Sequence, residues 1–365
     1  MRILIAPDKF KGSLGAQAVG EAIAQGLQAA LPAAQVEIVA LADGGEGTAE
    51  AIRRARDGEW IASAAHDALG RAGPGRYAWL AAPRLAVMEM SAVAGLGQLA
   101  PNERDPIHAS TFGVGEMLRD AAERGAAQII IGLGGSATND GGFGMARALG
   151  YRFLAVDGRE LTGPVSDLLT LAQIETPDDL RLPSIIAACD VSNPLLGPDG
   201  ATRTFGAQKG ATSEQIEVLE RALSRLGEVT ARTLACDHRE TPGAGAAGGL
   251  GFGLLTFCGA KVRSGFEVVA EAIDLRAKIE RADIVITGEG KLDRQTLAGK
   301  GPAGVARLAR QSRKPVYAIV GAAADDPEVR QLFDGIFTLD DASPDYRDTA
   351  QLLEIRAREL ASRFR

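Results

Sequence analysis

The residues of this chain best suited to chemistry sit in short loops that follow aliphatic runs. "APDKFKGS" offers Asp8, Lys9, Lys11 and Ser13, and "ADGGEGT" offers Asp43, Glu46 and Thr48. "ACDVSNP" offers Asp190, Ser192 and Asn193, and "TGEGKLDRQT" offers Glu289, Lys291 and Asp293. A carboxylate at a strand end can accept a proton, hold a hard cation or bind a hydroxyl, and it can equally cap a following helix. Four such loops together point to a site. A fifth loop is of another kind. In Gln128 to Gly144, "QIIIGLGGSATNDGGFG", a β-branched run breaks into six glycines interleaved with Ser136, Thr138, Asn139 and Asp140. Glycine lets backbone N–H groups come close to an anion, so this loop suits a phosphate, with Asp140 turned to a metal or a hydroxyl. A tight turn packed on another element is the competing explanation. Five of the eight lysines, Lys9, Lys11, Lys209, Lys291 and Lys300, also lie in glycine-flanked loops. The Lys ammonium is a compact point charge suited to a phosphate or carboxylate oxygen.

Two phosphate-binding templates can be laid on the glycine loop. Gly132, Gly134 and Ala137 follow a G-x-G-x-x-A spacing after a strand, and Asp157 ends the later run "YRFLAVD" where a ribose-binding acid would be expected. That fold, however, starts its helix inside the glycine motif. Here Gly141, Gly142 and Gly144 would then fall in the first turns, at about 1 kcal/mol each relative to Ala. A helix is predicted to start only after Gly142. The Walker A pattern is absent.

The elements that must position these loops are legible as short aliphatic runs, "RILIAPD", "VEIVALAD", "QIIIGLGG", "SIIAACD", "DIVITGEG" and "PVYAIVG", separated by helical patterns. This is the pattern of parallel strands buried on both faces with helical crossovers, an α/β class. Residues 16 to 31 have apolar positions at helical spacing and complete a β-α-β opening. From Trp60 to about Glu89 the sequence changes to Ala, Gly, Pro and Arg with scattered aromatics, which fits antiparallel strands and the start of a second domain. Strand and helix alternation returns from about Ile279, so the C-terminus is expected to complete the first domain around an insertion.

Composition narrows the class. A chain of 365 residues suggests about two domains. With a net charge of -7 it lacks the basic footprint of nucleic-acid binding. Three cysteines and three histidines, all scattered, argue against a disulfide framework or a zinc cluster. No apolar run approaches a membrane span, and a cytoplasmic protein is expected.

Seven blocks, "APDKFKGSL", "ADGGEGT", "GLGGSATNDGG", "ACDVSNPLLGP", "FGAQKGA", "PGAGAAGGLG" and "ITGEGKLDRQTLAGKGP", occur in this order and together resemble the signature blocks of the bacterial glycerate kinases. The resemblance spans nearly the whole chain. It implies ATP-dependent phosphorylation of D-glycerate with a divalent cation, Mg²⁺, generally giving 2-phosphoglycerate. It also implies two domains. One is a Rossmann-like parallel-sheet domain, 1–59 with 280–365; the other is an inserted α/β domain of mixed sheet, 60–279. The active site is expected in the cleft between them. Lys9 stands where many relatives carry serine, and Ser192 where an acid is frequent.

Phosphoryl transfer needs positioning, charge neutralisation and an acceptor oxygen relieved of its proton. On that chemistry Gly134, Gly135, Ser136 and Thr138 are expected at the nucleotide phosphates, and Lys11 at the glycerate carboxylate or the transferred phosphoryl group. Asp190 is expected as base or metal partner. Asp8, Ser13, Asp43, Glu46, Asn193, Glu289 and Lys291 are substrate-binding candidates. Asp140, Asp190 and Glu289 compete for the cation, and the base stays open among Asp190, Glu289 and Asp293. Partners are expected to be glycerate and ATP, with no nucleic acid or membrane, and homo-oligomerisation stays open. Production of 3-phosphoglycerate, an NAD-linked oxidoreductase using Gly132, Gly134 and Asp157, and a noncatalytic glycerate sensor are the alternatives.

Overall fold

A computed structural model describes residues 1–294, 296, 301–339 and 349–364. The chain divides into two compact units, 1–43 with 266–365, and 44–265. The first unit opens with β1 (Arg2–Pro7) and β2 (Gln35–Ile38), joined through the helix Ala16–Ala30. The second unit carries β3 (Glu59–His66), β4 (Ala72–Leu80), β5 (Leu85–Glu89) and β6 (Gln128–Gly132), then β7 (Arg152–Ala155), β8 (Leu171–Glu175), β9 (Ser184–Ala188) and β10 (Lys261–Arg263). The chain returns to the first unit for β11 (Ile284–Gly288), β12 (Lys291–Leu292), β13 (Val316–Val320), β14 (Ala322–Ala323) and β15 (Gly335–Thr338).

The first unit is built on a parallel sheet of order β15-β13-β11-β1-β2. Ile3, Leu4 and Ile5 of β1 and Val285 and Ile286 of β11 are at most 1% exposed, as expected of central parallel strands covered on both faces. From β1 the chain moves outward to β2, whereas from β11 it moves the other way to β13 and β15. The switch point of the sheet therefore lies between β1 and β11, where open α/β sheets take their ligands. Pro7 pairs with Gly288 there, so the next residues, Asp8 and Glu289, leave the sheet side by side.

The second unit has a mixed sheet of order β10-β9-β6-β5-β4-β3, parallel from β10 to β5 and antiparallel beyond. The antiparallel strands span the Ala/Gly/Pro/Arg-rich segment in which they were expected. The helix Phe143–Ala148 starts directly after Gly142, the point that the glycine spacing predicts. Strand β7 pairs antiparallel with β8 in a separate two-stranded sheet, and Asp157 receives the Arg159 N–H in the turn that follows β7. A dinucleotide fold needs that acid at the end of a parallel neighbour of β6, so the Asp157 reading fails.

The units exchange at 43/44 and 265/266, not at the 59/60 and 279/280 that the sequence suggested. Helix Thr48–Ala55 packs on β4 and β5, and Phe266 lies against Gly304 in the helix Gly301–Gln311. Hydrophobic periodicity marks the buried face of a helix but not the sheet that face meets.

Candidate active site

In the first unit the strand ends gather carboxylates. The Asp8 N–H donates to Gly288 O at 2.8 Å, and Asp8 Oδ1 accepts the Lys9 N–H at 2.6 Å. Leu41 N–H donates to Pro7 O at 2.9 Å, which draws the segment leading to Asp43 along the same end of β1. Glu289 accepts the Thr296 hydroxyl at 2.8 Å. Burial pushes the Glu289 carboxyl up to about 7, the Thr296 hydrogen bond opposes this, and the charges of Asp8, Asp293 and Asp43 add to the rise. The cations are less concentrated. Lys291 is exposed and 3.7 Å from Asp293, and Lys11 is exposed with no ion pair among the described residues. The Ser13 hydroxyl donates to Thr349 Oγ1 at 2.9 Å, a structural use in place of the expected substrate contact. Lys300 lies outside the described residues.

In the second unit the glycine loop leaves β6 and is held by its neighbours' backbone. Gly134 N–H donates to Gly44 O, Ala137 N–H to Ala94 O, Leu96 N–H to Gly135 O, and Gly141 N–H to Gly248 O. A Cβ on Gly134 would fall 2.5 Å from Gly45 Cα, and one on Gly248 would fall 2.0 Å from Thr138 O. These glycines permit close packing of backbone on backbone, so the packing explanation holds for Gly134. The N–H groups of Gly135, Ser136, Thr138, Asn139 and Asp140 donate to no acceptor among the described residues. Neighbouring unpaired amides suit an anion, and here the Ala137 amide, bonded to Ala94 O, separates Gly135 and Ser136 from the other three. Gly135, at φ +76°, is the exposed tip, next to Glu46, while Ser136 and the residues after it are buried. The Thr138 hydroxyl and Asn139 Oδ1 are buried without a partner among the described residues.

Beneath the tip the loop rests on two buried ionisable groups. Asp140 accepts the N–H groups of Thr111, Gly142 and Gly144 and the Thr111 hydroxyl, at 2.8 to 3.1 Å. Burial pushes its carboxyl up, and those donors pull it down. Both oxygens are engaged within the fold, so Asp140 stitches the loop to the helix Phe143–Ala148 and offers no open face to a metal. Lys209, 1% exposed, donates to Thr138 O at 2.7 Å. Burial lowers its ammonium to about 7, and the charge of Asp140 opposes that shift. The lysine count in glycine loops included Lys209, yet nothing in the sequence shows that it points inward. The Thr111 contact had no sequence signal.

The remaining acid loop ends β9. Asp190 Oδ1 accepts the Ser264 hydroxyl at 3.0 Å and the Gly265 N–H at 2.8 Å. Asn193 is tied down, its amide donating to Asp199 O at 2.7 Å, which leaves the expected substrate contact without support. Among the described residues no three acidic, His or Cys side chains converge as metal ligands. No helix among them is long and apolar enough to cross a membrane.

Acids at a parallel-sheet switch point and a glycine loop with unpaired amides are each features suited to phosphorylated ligands. The chain belongs to the glycerate kinase family, whose model matches residues 3–364. It is 40% identical to the glycerate kinase of Bacillus subtilis (strain 168), over 99% of this chain and 97% of that protein. It is 42% identical to the glycerate 2-kinase of Escherichia coli (strain K12), over 93% and 90%. A crystal structure from Salmonella typhimurium LT2, provisionally named glycerate kinase 2, superposes with a TM-score of 0.87 at 40% identity, covering 100% of this chain and 98% of the other. The protein is thus a transferase that acts on a small-molecule substrate with a nucleotide co-substrate.

Proposed function

We propose that this enzyme transfers the γ-phosphoryl group of ATP to the 2-hydroxyl of D-glycerate, giving 2-phospho-D-glycerate. The observation that carries this reading is the pair of unpaired amides at Gly135 and Ser136 at the tip of the glycine loop, ready donors to nucleotide phosphates that need no P-loop lysine. The choice of hydroxyl follows the name of the Escherichia coli relative. Gly135 and Ser136 hold phosphate oxygens by their N–H groups, Gly134 lets the loop fold back, and Thr138 acts through its place beneath them.

The acids of the first unit do the proton and charge work. Glu289 stands at the switch point and takes the acceptor proton; a carboxyl raised to about 7 is well matched to that task near neutral pH. The neighbouring carboxylates repel one another, and all are hard oxygen donors, a set that fits Mg²⁺ arriving with ATP, which takes one or two carboxylates and keeps its waters. Asp8 and Asp43 would hold it, and it would neutralise charge on the phosphate oxygens. Lys11, exposed at the first loop, binds the glycerate carboxylate.

A phosphorus NMR spectrum of enzyme, ATP, Mg²⁺ and D-glycerate tests the proposal. ADP should appear only with glycerate, together with one new phosphomonoester signal that matches 2-phosphoglycerate. ADP release independent of glycerate overturns the kinase reading, and a 3-phosphoglycerate signal overturns the choice of hydroxyl.

A further inference from the structure

A groove in the second unit has no role in the account so far. It opens at the carboxyl end of β5, has a volume of about 860 Å³, and is walled by residues that include Glu46, Gly47, Trp60, Arg76, Ser91 and Gln98. It borders the tip of the glycine loop: a Cβ on Gly135 would lie 3.2 Å from Glu46 Oε1 and 3.4 Å from Ser91 Cβ. The tip of the loop to which phosphate is assigned therefore lies at its edge.

Size separates the two substrates of a glycerate kinase. The groove falls in the ~300–1,000 Å³ range of small-molecule sites. A three-carbon acid would leave nearly all of it empty, whereas a nucleoside, a much larger ligand, would occupy a greater share. Its walls agree. The Arg76 guanidinium carbon lies 4.3 Å and that of Arg53 5.6 Å from the centre of the Trp60 ring, a cation–aromatic cluster of the kind on which a base can stack. Glu46 is exposed at the groove and can accept ribose hydroxyls. The far wall is fixed, because the Gln98 amide donates to Ser91 O and Ala92 O. The carboxylates in the wall disfavour phosphates there, so the phosphate chain must run out to the loop.

We infer that this groove takes the nucleoside end of the nucleotide, with the base against Trp60 and Arg76, the ribose at Glu46, and the phosphates directed to the amides of Gly135 and Ser136. The inference rests on the phosphate reading of the loop.

Titration calorimetry on the full-length protein can separate the two, with ATP and inorganic tripolyphosphate as ligands. Trp60→Ala and Arg76→Ala should each raise the dissociation constant for ATP about tenfold, the scale of one lost stacking partner, and leave tripolyphosphate binding unchanged. Gly135→Val should weaken both ligands. Circular dichroism and melting temperature confirm folding, and Arg76→Ala, at an exposed residue, serves where Trp60→Ala does not fold. If both groove variants bind ATP within twofold of wild type while Gly135→Val loses both ligands, the groove inference is wrong and the loop reading stands. If the groove variants lose ATP while Gly135→Val binds normally, the groove holds the nucleoside and the phosphate assignment is the one that fails. Normal ATP binding in all three variants sinks both.

Discussion

The two units place acids in the loops that follow parallel strands, and treat them in opposite ways. In the second unit Asp140 is surrounded by the N–H groups of Thr111, Gly142 and Gly144, and Asp190 by Ser264 and Gly265. In the first unit Glu289 has one hydroxyl donor and feels three other carboxylates. A carboxylate met by N–H donors is a structural fastener whose charge is already compensated. One that faces like charges is kept short of compensation, and a cation, a proton or a substrate hydroxyl must supply it. The residue type and its strand-end position do not separate these cases; the donors that surround the carboxylate do.

The largest expected effect tests the fastener half of that contrast. Asp140→Asn keeps the shape but sets an NH₂ group against backbone N–H donors in a buried site, so thermal or urea unfolding should show a loss of about 3 kcal/mol. A variant as stable as wild type but altered in its Mg²⁺ dependence would put Asp140 among the chemical acids and erase the distinction. On the other side, Glu289→Gln should lower turnover by ~10²-fold, the scale of a lost general base, with little loss of stability. Asp190→Asn should cost less, because Ser264 and Gly265 already donate to its Oδ1. Initial rates across glycerate and ATP concentrations decide between them, and the reverse order of losses would return the base to Asp190.

How far these roles could be read from the sequence follows the same division. The aliphatic runs gave away the central strands, since a parallel strand buried on both faces has to be continuously apolar, but β2 lies at the sheet edge and is only half-buried; Gly142 gave away the start of its helix. The acid loops were visible because strand ends are marked by an abrupt change to polar residues. What stayed hidden is the partner of each side chain. Ser13 ends on Thr349, Asn193 on Asp199 O, and Lys209 under Thr138, contacts spanning 336, 6 and 71 positions that no local pattern encodes. The low-complexity stretch from Gly243 to Gly253 likewise gained its meaning only from the loop it supports. There Ala247, Gly248 and Gly249 adopt left-handed backbone against Thr138 and Gly141.

A smaller effect compares the lysines. Lys11 is exposed and Lys209 buried, so the first should act through substrate and the second through the fold. Lys11→Met should raise the Michaelis constant for glycerate about tenfold, within the range of one charge-assisted contact, and leave the melting temperature unchanged. Lys9→Ser should do much less, since no substrate contact is assigned to that side chain. A greater loss at Lys9 would exchange their roles.

The smallest expected effect, a few degrees in melting temperature, is the one in which the two units should differ in sign. Glu289 titrates at about 7 in the folded protein against an ordinary 4.5, so between those values the folded state binds more protons than the unfolded one. Stability must then fall as pH rises through that window. Lys209 titrates at about 7 against 10.5, so between 7 and 10.5 the folded state binds fewer protons, and stability must rise with pH there. Substitutions that remove each titration separate the contributions. Glu289→Gln should flatten the melting profile on the acid side of pH 7 and raise it above, because a repelled buried carboxylate is gone. Lys209→Met keeps most of the buried volume and removes the cost of burying charge, so it should flatten the alkaline side and melt higher than wild type near pH 7, even where it loosens the Thr138 carbonyl. Melting curves of the three proteins from pH 5 to about 10, without nucleotide or Mg²⁺, measure both slopes. Parallel profiles for Glu289→Gln and wild type would mean that the acids of the first unit are already compensated, and the contrast between the units would then not be electrostatic.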